Sequence, residues 1–161
     1  MKNKSHIFNN EIEIGLRVLI ILNTVYPRSL DIELLNYYDY FSLHTADIGG
    51  GESLHPPVPN RFGELSVKRE ILQRSLNYLL LKGLINKSFT EDGVEFIASE
   101  TTSPFIDTLN EEYTLNLLEK ARWVFDKFKN YSPEKIRKYI KINQERWGSE
   151  ISFCSIGCTN E

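Results

Sequence analysis

The chain has 161 residues, 41% hydrophobic and 25% charged, which is the balance of an ordinary globular protein and enough for one domain plus a helical extension. A formal net charge of −3 argues against wholesale coating of nucleic acid, though not against a local basic patch. The longest apolar run, Val18 to Leu22, is far short of a membrane span and fits a buried helix segment.

Residues 1–8 read as a polar leader arm without the apolar stretch of a signal peptide, so a cytoplasmic location is expected. Asn10 has the character of a helix N-cap, with Glu13 at capping-box spacing and Glu11 adding negative charge to the first turn. The helix that follows is apolar on most sides through Ile14, Leu16, Val18, Leu19, Ile20, Ile21 and Leu22. It belongs at the centre of the core and ends near Val25, because Pro27 forbids continuation. Ser29 is expected to open a second helix, whose buried stripe is Leu30, Leu34, Tyr37, Tyr38 and Phe41.

Between the second and third helices lie roughly 20 residues that cannot be regular structure, a length that in a small domain is either functional or disordered. Gly49, Gly50 and Gly51 favour neither helix nor strand, and Pro56, Pro57 and Pro59 remove backbone donors. Leu54, Val58 and Phe62 are apolar anchors, and His55 and Arg61 can bond the backbone of the loop. It therefore reads as an ordered loop offered to a partner.

A third helix is expected from near Ser66 to Gly83, buried through Ile71, Leu72, Leu76, Leu79 and Leu80 and closed by a Schellman cap at Gly83 and Leu84. Ile85 to Phe89, a turn at Asp92-Gly93, and Val94 to Ile97 form a hairpin. Three helices and a hairpin follow one another in a winged helix, with the third helix as recognition element and the hairpin as wing. Phe89 and Phe96 are expected to press that wing onto the core. Ser103-Pro104 signals a new helix start. The stripe from Phe105 to Phe128 then predicts one long helix or two short ones bent near Asn110. Ser132-Pro133 opens a last helix with Ile136, Ile140 and Trp147 inward and Lys135, Arg137, Lys138, Lys141 and Arg146 outward. Gly148 is expected to stop it, with a short strand over Ile151 to Phe153 and a frayed end holding Cys154 and Cys158 as free thiols. The fold class is thus mainly α with a small β-hairpin. Residues 1–100 read as a winged-helix-like core with an ordered loop over 45–65, residues 101–150 as C-terminal helices packed on that core, and residues 151–161 as a tail.

No catalytic constellation stands out, and neither metal nor cofactor is expected. His44, Asp47 and His55 are zinc-ligand types, but no His-Glu-x-x-His spacing fixes two of them on one turn. The simpler reading has His44 closing a helix and His55 bonding loop carbonyls. Ser53 lies near His55 without a nucleophile elbow, and no phosphate-binding loop is present. The exposed face of the third helix carries Ser66, Arg69, Gln73 and Asn77, groups that meet solvent, a protein partner or base edges.

One set of residues is more specific. Asp39-Tyr40, Leu43-His44, Asp47-Ile48-Gly49, Glu52-Ser53-Leu54-His55-Pro56, Pro59, Arg61 and Arg69-Glu70 are flanked by Asn10 to Arg17, Phe89 to Gly93, Ser103-Pro104-Phe105 and Ala121-Arg122-Trp123. In this pattern the chain resembles the middle component of bacterial three-component ABC-ATPase conflict systems (ABC-3C, Lamassu-type), which act against phages and plasmids. The resemblance spans roughly residues 8–128. It implies a non-catalytic accessory subunit that docks on an SMC/ABC-like ATPase and couples DNA sensing to an effector, often a nuclease. DNA contact would then come through the complex, with no membrane involved. The residues expected to meet a partner are His44, Asp47, Ser53, Leu54, His55, Arg61, Phe62, Arg69 and Gln73. The alternative is a winged-helix transcriptional regulator that binds an operator on its own.

Overall fold

α1 (Glu11–Val25) begins where its sequence asks it to: the Asn10 side chain accepts the Glu13 N–H at 2.9 Å. Its faces from Ile14 to Val25 are buried almost all round, because α3 (Arg61–Leu81) and α5 (Glu112–Phe128) pack on it and α2 (Ile32–Leu43) lies alongside. The structure, a computed structural model, describes residues 10–156, with the side chains of residues 61, 62, 64 and 145–156 outside the description. The leader arm, the side chains of Trp147, Arg146 and Cys154, and Cys158 itself therefore lie outside the described residues.

The architecture is mainly α with one antiparallel hairpin, β1 (Ile85–Thr90) and β2 (Gly93–Ala98), paired from Ile85↔Ala98 to Thr90↔Gly93. Gly93 at φ 130° supplies the turn, and Gly83 at φ 69° closes α3, with the Leu84 N–H bonded to the Leu79 carbonyl at 3.0 Å. α4 (Thr102–Ile106) and α5 are separate helices, the second of the two arrangements the stripe allowed. α6 (Pro133–Ile156) starts at its expected proline. Phe41 stacks on Phe128 with ring centroids 5.0 Å apart, and Tyr139 meets Phe128 edge-on at 5.3 Å, tying α2, α5 and α6 together. Among the described residues no helix is long and apolar enough to cross a membrane.

Several local expectations are corrected. Asp31, not Ser29, caps α2, accepting the Leu34 N–H at 2.8 Å. Leu30 is held back as a third strand-like residue, exchanging both backbone bonds with Phe96, and the Ser29 hydroxyl turns to Glu95. α3 starts five residues early because Asn60 caps it, accepting the Gly63 N–H at 2.9 Å. α4 likewise begins at Thr102, ahead of the Ser103-Pro104 signal. Phe96 is buried but Phe89 is 79% exposed. The two share one face of the hairpin, whose base reaches the core and whose tip projects beyond it. Gly148 does not stop α6, and Ile151 to Phe153 are helical. A lone glycine costs a helix only about 1 kcal/mol relative to alanine, which its helix-forming neighbours offset.

Candidate functional site

The loop after α2 is ordered by bonds to its own backbone and to the body. A single 3-10 turn, Thr45–Ile48, ends at Gly49, whose φ of 80° reverses the chain. The Gly50 N–H returns to the Thr45 carbonyl at 2.8 Å, and the Thr45 hydroxyl meets the carbonyls of Gly51 and Glu52 at 3.2 Å each. The Ala46 N–H donates to the Ser53 hydroxyl at 3.0 Å, and the His55 N–H to the Leu43 carbonyl at 3.1 Å. From α5, Lys120 Nζ donates to the Glu52 carbonyl at 2.7 Å, and the Tyr113 hydroxyl bonds His55 Nε2 at 3.0 Å. Gly51, Glu52, Pro56, Pro57, Pro59 and Asn60 are left exposed on the outer side. An open groove of about 300 Å³ lies between the loop and α5, lined by Glu52, Ser53, Leu54, Asn116, Glu119 and Lys120.

Behind the loop sits a buried charge cluster. Arg17 projects from the middle of α1 with no exposed surface and grips Asp39 of α2 in a bidentate pair, Nε to Oδ1 at 2.6 Å and Nη2 to Oδ2 at 3.0 Å. Glu13 stands one turn away, 3.5 Å from Arg17 Nη1, and Lys68 of α3 is buried nearby. Burial alone would raise the Asp39 carboxyl, but the Arg17 guanidinium and its hydrogen bonds outweigh it and hold the group ionised below its usual range. His55 faces this cluster. Burial, and then the positive charges of Arg17 and Lys68, push its pKa down to about 4, so its ring is neutral near pH 7. Glu13 is raised by burial, with Arg17 opposing, and Tyr113 is raised chiefly by burial.

These positions sort the residues singled out by sequence. His44 caps α2 as expected, but at 2% exposure it packs against Tyr40 with ring centroids 4.7 Å apart and serves the base of the loop. His55 bonds Tyr113 of the last-but-one helix where a loop carbonyl was expected. Asp47 accepts from the Tyr40 hydroxyl, and Ser53 and Leu54 sit half-buried at the groove. Arg69 and Gln73 are exposed on α3, while the side chains of Arg61 and Phe62 lie outside the described residues. Among the described residues no three His, Cys, Asp or Glu side chains come together in a metal-binding set. Sequence reasoning missed Arg17, Asp39 and Lys68 as a unit. The available signal was a charged residue at a position that α1, apolar on most sides, must bury, since such a charge requires a buried partner.

Gly50 ties the loop to α5 sterically. A Cβ there would lie 2.8 Å from the Trp123 ring and 2.9 Å from the Thr45 carbonyl oxygen. Gly50→Ala is therefore expected to destabilise the chain by roughly 1–3 kcal/mol and to shift the tryptophan emission, read by urea titration and fluorescence. An unchanged midpoint would show that the loop is not seated on Trp123.

A family model described as ABC-three component (ABC-3C) system Middle Component 2 matches residues 7–150 of the chain. No curated protein and no solved structure matches it. The chain belongs to that family and is one component of a multi-component system.

Proposed function

We propose that this ABC-3C middle component is a non-catalytic accessory subunit of a bacterial antiviral or antiplasmid defence complex of the Lamassu type. It docks on an SMC/ABC-type ATPase and helps couple DNA sensing to an effector. The observation that carries the reading is the anchored loop, fixed from inside by backbone and side-chain bonds while its glycine- and proline-rich rim faces outward. A surface held rigid before binding loses little conformational entropy on docking. The groove beside it gives a partner side chain somewhere to enter, with Glu52, Glu119 and Lys120 as charged contacts and Leu54 as an apolar one. Exposed Arg69 and Gln73 extend the set of polar contacts on α3. The helix–helix–helix–hairpin order, with Leu30 pairing to Phe96, supports a winged-helix-like core as the scaffold.

Co-expression with the tagged ATPase component of the same system tests this. A stable complex is expected, weakened about tenfold by the charge reversals Glu52→Lys and Glu119→Lys together. A partnerless monomer from native lysate would count against it.

The operator-binding alternative rests on the exposed Arg69 and Gln73. Arg74 beside them is engaged by Glu11 at 2.7 Å, which leaves it less available to phosphate. A flat DNA titration of the isolated protein at low salt would dismiss that alternative.

A further inference from the structure

Away from the loop, α1, the C-terminal half of α3 and α4 leave an open groove of about 400 Å³ between them. Ile12, Leu16, Tyr78, Leu79, Phe105 and Leu109 line it. Gly15 leaves its floor without a side chain. Three of the lining residues are large, apolar and well exposed: Ile12 at 72%, Tyr78 at 45% and Phe105 at 40%. Apolar groups clustered in this way mark a contact surface, whereas scattered ones need no explanation. The walls are helical ridges, Ile12 and Leu16 one turn apart on α1, Tyr78 on α3 and Lys82 one turn on at its C-cap, so the trough between them suits another helix. A small-molecule site would add several convergent polar groups, and among the described residues this lining has only the Tyr78 phenol and the Lys82 ammonium.

Lys82 identifies the occupant's charge. It is the one charged residue of the lining among the described residues, it is exposed, and its ammonium lies 5.4 Å from the centre of the Tyr78 ring. No carboxylate among the described residues pairs with it. We infer that this groove receives an amphipathic helix of another component of the assembly. The helix lays apolar side chains spaced i, i+3 or i+4, and i+7 into the trough and pairs an Asp or Glu with Lys82. The source of the helix rests on the reading above that the chain works inside a complex; the shape and charge of the groove do not.

The test places the photo-crosslinking residue p-benzoylphenylalanine at Tyr78 of the full chain, co-expressed with the other components of its system. The expected product links Tyr78 to a helical segment of another component with that apolar spacing and an acidic residue. Lys82→Glu is then expected to weaken the complex about tenfold, and exchanging the mapped acid for lysine to restore it. A link to a second copy of this chain, a link to its own residues 1–9, or no link overturns the inference. If the complex still forms without the link, only the groove assignment fails. If no complex forms at all, the accessory-subunit reading fails with it.

Discussion

Replacing Asp39 with asparagine is expected to lower the stability of the folded chain by about 3–5 kcal/mol, the usual cost of breaking a buried ion pair from one side. The substitution keeps the shape of the side chain but removes the charge that compensates Arg17, which has no exposed surface. Glu13, at 3.5 Å from Arg17 Nη1, is too distant and too solvated to replace a bidentate partner. Domains of this size have about 5–15 kcal/mol in total, so the change removes a large share of it. Urea titration should show the midpoint falling with an unchanged slope. The double substitution Arg17→Met, Asp39→Leu should recover a good part of the loss, because a well-packed apolar pair removes the desolvation cost along with the attraction. A loss below about 1 kcal/mol in Asp39→Asn would mean that the pair does not hold the core.

The second large effect is acid sensitivity centred on His55. Its pKa is about 4 in the folded chain against 6.5 for an unperturbed histidine, so the unfolded chain binds the proton more readily. The contribution of His55 to stability is therefore complete above pH 6.5 and declines as the pH falls from 6.5 toward 4, by at most about 3 kcal/mol at one shift unit per 1.4 kcal/mol and by less for a ring that solvent partly screens. The groups facing His55 are Arg17, His44 and Lys68, which oppose its protonation, Asp39, which favours it, and the Tyr113 hydroxyl. Asp39 contributes its own loss only at still lower pH, and Glu13, raised by burial, works in the opposite direction. A difference curve isolates the histidine: in thermal melts across pH 4–7 the wild type should lose stability toward the acid end that His55→Gln, which has no ring to protonate, retains. Parallel curves would place the acid sensitivity elsewhere.

Much of the fold was legible because it follows from local chemistry. Asn10 capping, the apolar faces of α1, the Gly83 Schellman cap and the Asp92-Gly93 turn depend on residues within a few positions of one another. What escaped depends on distance in the chain. Leu30 is drawn out of α2 by Phe96, some 66 residues on in the pairing of their neighbours Ser29 and Glu95, which no local pattern at Ser29 reveals. Phe89 looked like a core residue by alternation, and only the length of the hairpin beyond the core exposes it. The loop was recognisable from its glycines and prolines, and His55 from its place in it. That the loop rests on Lys120, Tyr113 and Trp123 of α5 is a tertiary fact. So is the inversion at His44, a polar residue that packs inside while Glu52 and the prolines face out.

Hydrogen–deuterium exchange on the intact protein, alone and with the ATPase proposed above as its partner, reaches the heart of this account. In the free chain the amides of Ala46, Gly50 and His55 should exchange slowly, since each donates to an acceptor within the loop or to α2. Exchange of the remaining amides between Gly51 and Asn60 should slow only when the ATPase is added. Unprotected exchange at Gly50 and His55 in the free chain, or a loop indifferent to the ATPase, would contradict a surface built rigid for a partner.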